Sequence, residues 1–431
     1  MLYDNLAVNA AGHLTIGGVD TVSLAETYGT ALYVLDEDRI RQNCRRYLTA
    51  MAEHFGEGSV PLYASKALCF QGMYRIMAQE GMCSDVVSPG ELYTALAAGF
   101  PPENLFFHGN NKTDADIRYG VDSGVGYFIV DNVNELHFLN AYAGEKGLRQ
   151  KVLLRVTPGI DPHTLEAINT GRIDCQFGAP IETGQAAVFV EEAMRQSNLE
   201  VCGFHSHIGS QIFDPQPFCD AVDILLAFAQ DMWQHYGFVA SIFNLGGGFG
   251  VRYVESDPTV DIPGNIRALS QHLKEGCAAL HYPQPKILME PGRSIVADAG
   301  LTLYTAGGVK TIDGYRSYVT VDGGMTDNPR YALYQSSYTV CLANRMEDPA
   351  DFVCTVAGRC CESGDLIQEN VRLPKPERGD LIAVLSTGAY NFAMASNYNR
   401  LCRPAVVMVK GGEPYLAVRR QTYADLASCD L

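Results

Sequence analysis

One lysine, Lys66, interrupts the otherwise apolar stretch PLYASKALC at residues 61–69. The Pro-Leu-Tyr-Ala run is typical of a short buried strand, so this ammonium group lies where the strand should end. A lysine is most often solvated at the surface, because buried lysines are rare unless they are paired. The chemical alternative is an amine that forms a Schiff base with a carbonyl compound, which is a common role for a desolvated lysine.

Two further segments contain residue types suited to holding a charged ligand. The glycines of NLGGGFG, at residues 244–250, would let backbone amides approach an anion closely, although such a run is more often only a tight turn. Glu290 opens the segment EPGRS, at residues 290–294, and supplies a carboxylate. Their significance depends on where the fold places them.

The elements that would position these residues repeat along the chain. Strand-like runs begin near residues 61, 83, 105, 127, 152, 201, 241 and 287, each with a turn and a stretch of helical apolar spacing after it. Eight such units predict a parallel (β/α)8 barrel, which we assign to residues 36–299. Active sites of this fold lie at the carboxyl ends of the strands. The polar residues at those ends include Lys66, Asp85, Ser88, His108, Asp131, Arg155 and His207.

Position in the barrel favours a phosphate-bearing ligand. The loops after strands seven and eight are the recurrent phosphate site of such barrels, and the two segments NLGGGFG and EPGRS occupy these loops. A phosphate site opposite a strand-end lysine indicates pyridoxal phosphate, bound through a Schiff base on Lys66. Glu290 would keep the ring nitrogen protonated, which makes the ring an electron sink suited to bond cleavage at Cα.

The pattern changes after about residue 300, where short β-rich runs such as LTLYTAGGVKTI and DLIAVLSTG alternate with turn residues. This pattern predicts a mainly antiparallel all-β domain, sandwich-like or barrel-like, over residues 300–431. Residues 1–35 also contain short strand-like segments, which we expect to join that sheet. The predicted fold class is therefore α/β, with a TIM-type barrel and a C-terminal all-β domain that takes up the N-terminal segment.

Composition argues against several classes of partner. The 431 residues include 32 basic and 49 acidic side chains, and the net charge of −17 disfavours nucleic acid and anionic membranes. We expect no signal peptide and no spanning helix, because no stretch approaches roughly 18 apolar residues. Thirteen cysteines without a CxxC pair suit a reducing cytoplasm, and no metal site is expected.

Nine motifs between about residues 25 and 410 resemble, in order, those of the barrel-type pyridoxal-phosphate decarboxylases. They are YASKAL (63–68), DVVSPGELYTALAAG (85–99), HGNNK (108–112), RVTPGI (155–160), GFHSHIGSQI (203–212), NLGGGFG (244–250), EPGRS (290–294), CESGD (361–365) and GAYNFAMASNYN (388–399). The resemblance implies that Lys66 binds the cofactor, His207 stacks on its ring and Glu290 pairs with its ring nitrogen. The phosphate ligands that it implies are Ser210, Gly246, Gly247, Gly248, Gly292, Arg293 and Tyr390.

On the substrate side, the resemblance implies that Arg293, Arg330 and Tyr334 bind a distal carboxylate, with Tyr390 also at the substrate. An exposed surface cluster is the alternative for Arg330 and Tyr334. Glu362 would bind the distal ammonium group, and Cys361 would donate a proton to Cα. The CCESGD loop would reach the active site of the neighbouring subunit, so the resemblance also implies a homodimer with shared sites.

The reaction predicted from this resemblance is decarboxylation of meso-2,6-diaminopimelate to L-lysine and carbon dioxide, in lysine biosynthesis. The chain departs from the family pattern at Gln176, where a lysine is usual, and at Leu68 and Cys69 in the first motif. Decarboxylases of ornithine, arginine, carboxynorspermidine or D-amino acids share the cofactor motifs and are the alternatives. A non-catalytic homologue that binds a partner protein, or a Schiff-base aldolase, agrees less well with the lysine, the glycine loop and the all-β domain.

Overall fold

The structure is a computed structural model that describes residues 1–160 and 173–431. Internal contacts divide the chain into two compact units. The first unit, named here the β-domain, comprises Met1–Asn43, Val251–Pro258 and Arg293–Leu431; the second, the barrel domain, comprises Cys44–Gly250 and Thr259–Gly292. Both units are thus assembled from segments that are distant in sequence.

The N-terminal segment contributes four strands and two helices. These elements are β1 (Leu6–Val8), β2 (Leu14–Ile16), β3 (Val19–Asp20), α1 (Thr21–Tyr28), β4 (Leu32–Asp36) and α2 (Glu37–Phe55). Strands β1 to β3 form a small antiparallel sheet. All five residues of β4 are buried, as expected of a strand that is covered on both faces.

Parallel strands close into a ring in the barrel domain. They are β5 (Val60–Ala64), β6 (Cys83–Val86), β7 (Leu105–Phe107), β8 (Tyr127–Val130), β9 (Gln150–Thr157), β10 (Ala179–Pro180), β11 (Leu199–His205), β12 (Ile242–Asn244) and β13 (Lys286–Met289). The short β10 only extends the edge of β9, and the other eight form the ring, in which β13 returns to β5 with Leu288 opposite Val60. The predicted (β/α)8 barrel is confirmed.

Helices follow the strands of this ring. In the described residues they are α3 (Gln71–Glu80), α4 (Pro89–Ala97), α5 (Asp114–Asp122), α6 (Val133–Glu145), α7 (Gln185–Met194), α8 (Gln216–Tyr236) and α9 (Ile262–Leu280). Side chains of Ser88, Asn132 and Asp261 cap α4, α6 and α9 by accepting backbone N–H groups of the first turn. No helix in the described parts of the chain is long and apolar enough to cross a membrane.

The interior of the ring is packed with side chains. One hydrophobic cluster contains Leu62, Phe106, Ile129, Leu153, Cys202, Ile242 and Leu288. A cluster to which seven strands of a closed sheet each contribute one residue has to lie inside that sheet. The barrel is therefore a filled core, and its polar groups are left for the strand ends, where this fold carries its chemistry.

The β-domain is completed by elements from the C-terminal part of the chain. They are α10 (Arg293–Val296), β14 (Gly300–Ile312), β15 (Arg316–Val321), α11 (Arg330–Tyr334), β16 (Val340–Leu342), β17 (Phe352–Ala357), β18 (Leu366–Leu373), β19 (Leu381–Leu385), β20 (Ala405–Lys410), β21 (Glu413–Val418) and α12 (Tyr423–Ala427). The main sheet has the order β18-β17-β15-β14-β4-β20-β21, and β19 pairs with both β14 and β16.

The N-terminal strand β4 lies in the middle of this sheet. Val34 faces Leu301 of β14 in an antiparallel pair and Val407 of β20 in a parallel pair. The core of the domain also includes Leu14 and Leu24 from the N-terminal segment. The expectation that this segment joins the all-β domain is confirmed.

Candidate active site

Lys66 lies in a single turn of 3-10 helix directly after β5. Its neighbours Ser65 and Ala67 are buried, whereas the Lys66 side chain is exposed. The Ser65 N–H donates to Asp85 Oδ1 at 2.8 Å, and the Ser65 hydroxyl donates to Glu91 Oε2 at 3.0 Å. The N–H and the hydroxyl group of Ser65 thus anchor the turn, and the adjacent amine is accessible to a ligand at the end of the strand.

The carboxyl groups of Asp85 and Glu91 give this turn an acidic setting. Burial raises the pKa of Asp85 well above its ordinary value, the nearby Glu290 carboxylate raises it further, and the Lys66 charge opposes both. Burial also raises the pKa of Glu91, although its hydrogen bonds partly offset the effect. Asp85 therefore retains a proton more readily than an ordinary carboxyl group, which is typical of sites that handle protons.

Glu290, immediately after β13, is buried with three nitrogen groups around its carboxylate. Asn244 Nδ2 donates to Oε1 at 2.7 Å, His108 Nε2 lies 2.8 Å from the same oxygen, and His205 Nε2 lies 3.2 Å from Oε2. The two imidazole rings meet edge to face, with centroids 4.9 Å apart. Four strands of the ring, β7, β11, β12 and β13, bring this cluster together.

The charges in the cluster follow from its burial. Burial lowers the pKa of His108, and it lowers the pKa of His205 to about 4, because a protonated imidazole would lose its hydration there. Burial alone would raise the pKa of Glu290, but its contacts with the two histidines outweigh burial and hold that pKa well below the ordinary value. The cluster thus contains one carboxylate between two neutral imidazoles.

The glycines after β12 make room for close backbone approach. A Cβ atom on Gly247 would lie 2.1 Å from the carbonyl oxygen of Glu290, so no other residue fits at this position. Gly248 has a φ of +131°, and a Cβ there would lie 2.5 Å from the carbonyl oxygen of Gly209. A side chain is excluded from both positions, so an anion can approach the backbone of Gly247 and Gly248 closely, whereas the Gly246 N–H already donates to Asn244 Oδ1.

Ser210 and His207 lie on the loop that borders these glycines. A parallel bridge joins this loop to the glycine loop, and the Ile212 N–H donates to the Gly248 carbonyl at 2.9 Å. A Cβ on Gly246 would come within 2.7 Å of His207 Nδ1, so the imidazole packs against that glycine. Burial lowers the pKa of His207 well below its ordinary value, and the Lys66 charge lowers it further. The ring is therefore neutral and suited to stacking on a flat ligand.

In the β-domain, Arg293 and Arg330 are buried against one aromatic ring. The guanidinium carbon of Arg293 lies 4.8 Å from the centroid of the Tyr390 ring, and that of Arg330 lies 5.5 Å from it. Arg330 also lies over Tyr334 at 5.3 Å, and Arg293 Nη1 donates to the Tyr253 hydroxyl at 2.6 Å. The structure thus brings together the arginines and tyrosines that the sequence predicts, and the exposed-surface alternative for Arg330 is wrong.

Arg330 has a hydrogen bond to a neutral group but no ion pair in the described residues. Its Nη2 donates to Ser336 Oγ at 3.3 Å, while its buried Nε has no hydrogen-bond partner there. A buried charge is unfavourable unless a counter-charge compensates it. This part of the β-domain is therefore suited to binding an anion from outside, in the planar two-bond geometry of an arginine and a carboxylate.

Cys361 and Glu362 lie on an exposed loop of the β-domain. The Cys361 N–H donates to Asn399 Oδ1 at 2.7 Å, and the Cys360 N–H donates to Asp365 Oδ2 at the same distance. Burial raises the pKa of the Cys360 thiol to about 11. The backbone of the loop is held by hydrogen bonds, while the thiol of Cys361 and the carboxylate of Glu362 face solvent.

Comparison with known proteins identifies the family of this architecture. Residues 37–297 match the family model described as pyridoxal-dependent decarboxylase, pyridoxal binding domain. The chain belongs to the pyridoxal-dependent decarboxylases. Diaminopimelate decarboxylase of Bacillus subtilis is 44% identical over 98% of this chain and 96% of its own length, and that of Staphylococcus aureus is 41% identical over 97% of both. The predicted resemblance and the predicted cofactor, pyridoxal 5′-phosphate, are confirmed.

A solved structure agrees with this assignment to the pyridoxal-dependent decarboxylases. The crystal structure of diaminopimelate decarboxylase from M. jannaschii in complex with L-lysine superposes with a TM-score of 0.90. Its sequence is 33% identical, and the match covers 99% of this chain and 98% of the other. The similarity extends through both units, since a match of this length includes the β-domain as well as the barrel domain.

The residues at the strand ends fit the cofactor of the pyridoxal-dependent decarboxylases. Glu290 is a carboxylate able to accept a hydrogen bond from a protonated ring nitrogen, and the glycine loop excludes side chains from the space that a phosphate needs. Gly292 is equally constrained, because a Cβ there would lie 2.8 Å from the Ala64 Cβ. The accessible amine of Lys66 completes the set of groups that this cofactor requires.

Two residues of the cluster escape prediction from the sequence: His205 and Asn244. His205 precedes His207 by two residues, and alternation along a strand is the signal that could have placed both on one face. Asn244 reads as part of the glycine turn, but its Oδ1 accepts the Gly246 N–H at 3.0 Å while its Nδ2 donates to Glu290. One asparagine thus ties the glycine loop to the carboxylate, which no local pattern reveals.

Proposed function

We propose that this chain decarboxylates meso-2,6-diaminopimelate to L-lysine and carbon dioxide. The observation that carries the choice of substrate is the buried Arg330, whose charge no carboxylate in the described residues compensates. Ornithine, arginine and carboxynorspermidine have one carboxylate, which is the group that leaves. Diaminopimelate has a second carboxylate at its distal end, and that group supplies the missing counter-charge.

The barrel domain supplies most of the cofactor site in this proposal. Lys66 would hold the cofactor covalently, Glu290 would accept a hydrogen bond from its protonated ring nitrogen, and His207 would stack on the ring. When bound, pyridoxal phosphate supplies the electron sink for the pair left at Cα. The residues proposed to bind the phosphate are Ser210, Gly246, Gly247, Gly248, Gly292, Arg293 and Tyr390.

The β-domain supplies the groups that select the substrate. Arg293, Arg330 and Tyr334 bind the distal carboxylate, with Tyr390 as the surface on which both guanidinium groups rest. Glu362 binds the distal ammonium group. A site with charges of both signs distinguishes a zwitterionic end from the plain ammonium group of a diamine.

Cys361 donates the proton that Cα takes up after carbon dioxide leaves. Its exposed position suits a donor that serves the site of a second subunit, so we propose a homodimer with shared active sites. All thirteen cysteines are free thiols, as expected of a protein in the reducing cytoplasm, which is the compartment we propose.

The direct test is a comparison of substrates with the purified holoenzyme. Carbon dioxide and L-lysine release with meso-diaminopimelate is expected to exceed, by orders of magnitude in kcat/KM, the turnover of ornithine, arginine and carboxynorspermidine. Efficient turnover of one of these, with none of diaminopimelate, would contradict the substrate while leaving the reaction class intact. Absence of turnover with all of them, in a protein that binds the cofactor, would support the non-catalytic alternative.

A further inference from the structure

The Glu290 carboxylate is enclosed by more polar contacts than pairing with a ring nitrogen requires. Its side chain is only 8% exposed, in a setting where an isolated carboxylate would take up a proton. A protonated Glu290 would offer the ring nitrogen a poor acceptor. Something in the chain therefore has to keep this glutamate charged before any ligand binds.

The contacts are distributed unequally over the two carboxylate oxygens. Oε1 has two close nitrogen groups, Asn244 Nδ2 at 2.7 Å and His108 Nε2 at 2.8 Å, whereas Oε2 has only His205 Nε2 at 3.2 Å. A carboxylate oxygen accepts about two hydrogen bonds. The Asn244 hydrogen bond and the 2.8 Å contact with His108 Nε2, which is not aligned as a hydrogen bond, both fall on Oε1, so Oε2 is the less crowded oxygen and keeps the capacity to accept one more N–H.

The orientation of each donor is set by its other contacts. The Asn244 Oδ1 accepts the Gly246 N–H, so its amino group must face Glu290. His205 Nδ1 is buried without a hydrogen-bond partner among the described residues, which suits the tautomer that carries its proton on Nε2. His205 can therefore donate to the carboxylate as a neutral group, while His108 Nε2 has no hydrogen-bond partner in the described residues and acts on Glu290 through its 2.8 Å contact.

We propose that His108 and His205 are positioning residues that keep Glu290 ionised and reserve its Oε2 for the ring nitrogen of the cofactor. The proposal rests on the proposed function only in requiring pyridoxal phosphate, and it holds for any substrate.

Neutral donors suit this role better than cationic ones. Two imidazolium groups beside one carboxylate would give the cluster a net positive charge and repel a protonated ring nitrogen. Two neutral imidazoles leave the single negative charge of Glu290 in place. Burial and the charge of Arg155 both disfavour protonation of His108 and His205, so the surroundings support the neutral state.

The rival interpretation is a metal site. One ligand atom each from His108, His205 and Glu290 lie within 4.8 Å of one another, and two histidines with a glutamate are a common zinc ligand set. Against a metal, Oε1 of Glu290 already accepts the Asn244 amino group, whose hydrogen atoms face the carboxylate. The experiment below separates the two interpretations.

The test uses apoenzyme reconstituted with pyridoxal phosphate labelled with ¹⁵N in the ring. The wild type should show the chemical shift of a protonated ring nitrogen at pH 7.5. In the double variant His108→Leu/His205→Leu, the shift should move toward the unprotonated value, and the dissociation constant of the cofactor should rise about tenfold or more. His108→Gln/His205→Gln retains N–H donors and should restore both readouts.

Controls separate this role from a general effect on folding. His137 Nε2 contacts Glu192 Oε1 at 2.7 Å on the exposed surface of the same domain, so His137→Leu should change neither the shift nor the cofactor affinity. A protonated ring nitrogen and unchanged affinity in the double leucine variant would overturn the proposal. Stoichiometric zinc in the wild-type apoenzyme, absent from the leucine variant, would also overturn it. Neither readout involves the substrate, so failure of the proposed decarboxylation would leave this result unaffected.

Discussion

Two buried cations, Lys112 of the barrel domain and Arg330 of the β-domain, differ in how their charge is compensated. In the barrel domain, Lys112 Nζ lies 2.7 Å from Glu135 Oε1 and also donates to two backbone carbonyls, and Glu290 is surrounded by nitrogen groups. In the β-domain, Arg330 rests on tyrosine rings without a carboxylate partner in the described residues. The barrel domain thus pairs its buried Lys112, whereas the β-domain pairs Arg39 with Asp298 but also contains Arg330, whose charge a ligand can compensate.

This difference indicates a division of labour. A cofactor that stays bound is served by groups whose protonation and orientation are set in advance, since preorganised dipoles need no rearrangement during reaction. A substrate that enters and leaves is better served by a site with an uncompensated charge, because binding then relieves a cost already present in the protein. The predictions below test this contrast, in order of decreasing effect.

The largest effect is expected from Lys66→Ala in the barrel domain. The variant removes the amine that holds the cofactor, and we expect kcat to fall by at least about 10⁴-fold, since covalent catalysis is lost with it. Borohydride reduction of the wild-type holoenzyme followed by peptide mapping should label Lys66 and no other lysine. Label on a different lysine would contradict the assignment of the barrel site.

The second effect concerns the buried ion pair of the barrel domain. Lys112→Met leaves Glu135 charged, buried and without its cation, which should lower the free energy of unfolding by about 3–5 kcal/mol. Adding Glu135→Gln should recover part of this loss, measured by denaturant unfolding. The matched control is Lys146→Met, because Lys146 contacts Asp122 at 2.6 Å in an exposed pair and its loss should leave stability unchanged. Equal effects of Lys112→Met and Lys146→Met would contradict the contrast between compensated and exposed charges.

The sequence predicts the architecture better than the side-chain contacts within the site. The strand runs around PLYAS and YFIVD are detectable because buried parallel strands are continuous apolar segments with even spacing along the chain. The end of a strand also predicts Lys66 and Glu290, since the fold places chemistry there. The sequence does not predict the residues that contact Glu290. His108, His205 and Asn244 come from three other strands and approach Glu290 only because the barrel closes.

In the β-domain, too, the sequence does not predict which residues contact one another. Arg330 and Tyr334 come from one short helix, and only the family resemblance predicts their role. Tyr253, which accepts a hydrogen bond from Arg293, is in a segment between β12 and α9 that joins the β-domain by tertiary contact alone. Contacts between segments so distant in sequence leave no periodic pattern, and they have to be observed in the structure.

The third effect concerns the uncompensated charge of the β-domain. Arg330→Met should lower kcat/KM for diaminopimelate by about 100-fold, which corresponds to about 3 kcal/mol of lost carboxylate binding. Stability without substrate should stay the same or rise, since the variant removes a buried charge that has no counter-charge in the described residues. Loss of stability comparable to that of Lys112→Met would show that Arg330 is compensated within the protein, and would remove the basis of the proposed substrate choice.

The smallest effect is a difference in pH dependence between the domains. Burial lowers the pKa of His205, in the barrel domain, to about 4. Burial raises the pKa of Asp327, in the β-domain, to about 6. The unfolded chain binds more protons at His205 between pH 6.5 and 4, so that contribution to stability is present above pH 6.5 and is lost on acidification. The folded chain binds more protons at Asp327 between pH 3.8 and 6, so its contribution is present at low pH and is lost as pH rises through about 6.

The variants His205→Gln and Asp327→Asn should therefore change the pH dependence of the free energy of unfolding in opposite directions. Between pH 7 and pH 5, the wild-type protein should lose about 2 kcal/mol of its free energy of unfolding, because His205 takes up a proton in the unfolded chain. His205→Gln should not show this loss, because glutamine does not take up a proton. Over the same interval, protonation of Asp327 in the folded chain should add about 1 kcal/mol to the free energy of unfolding of the wild type. Asp327→Asn should not show this gain, because its amide is neutral at every pH. Chemical denaturation at pH 7, 6 and 5 measures both, and His137→Leu is the control for loss of an exposed histidine. If the pH profiles of both variants ran parallel to that of the wild type, the two buried groups would titrate as they do in the unfolded chain. Burial in these domains would then leave their charges unaltered.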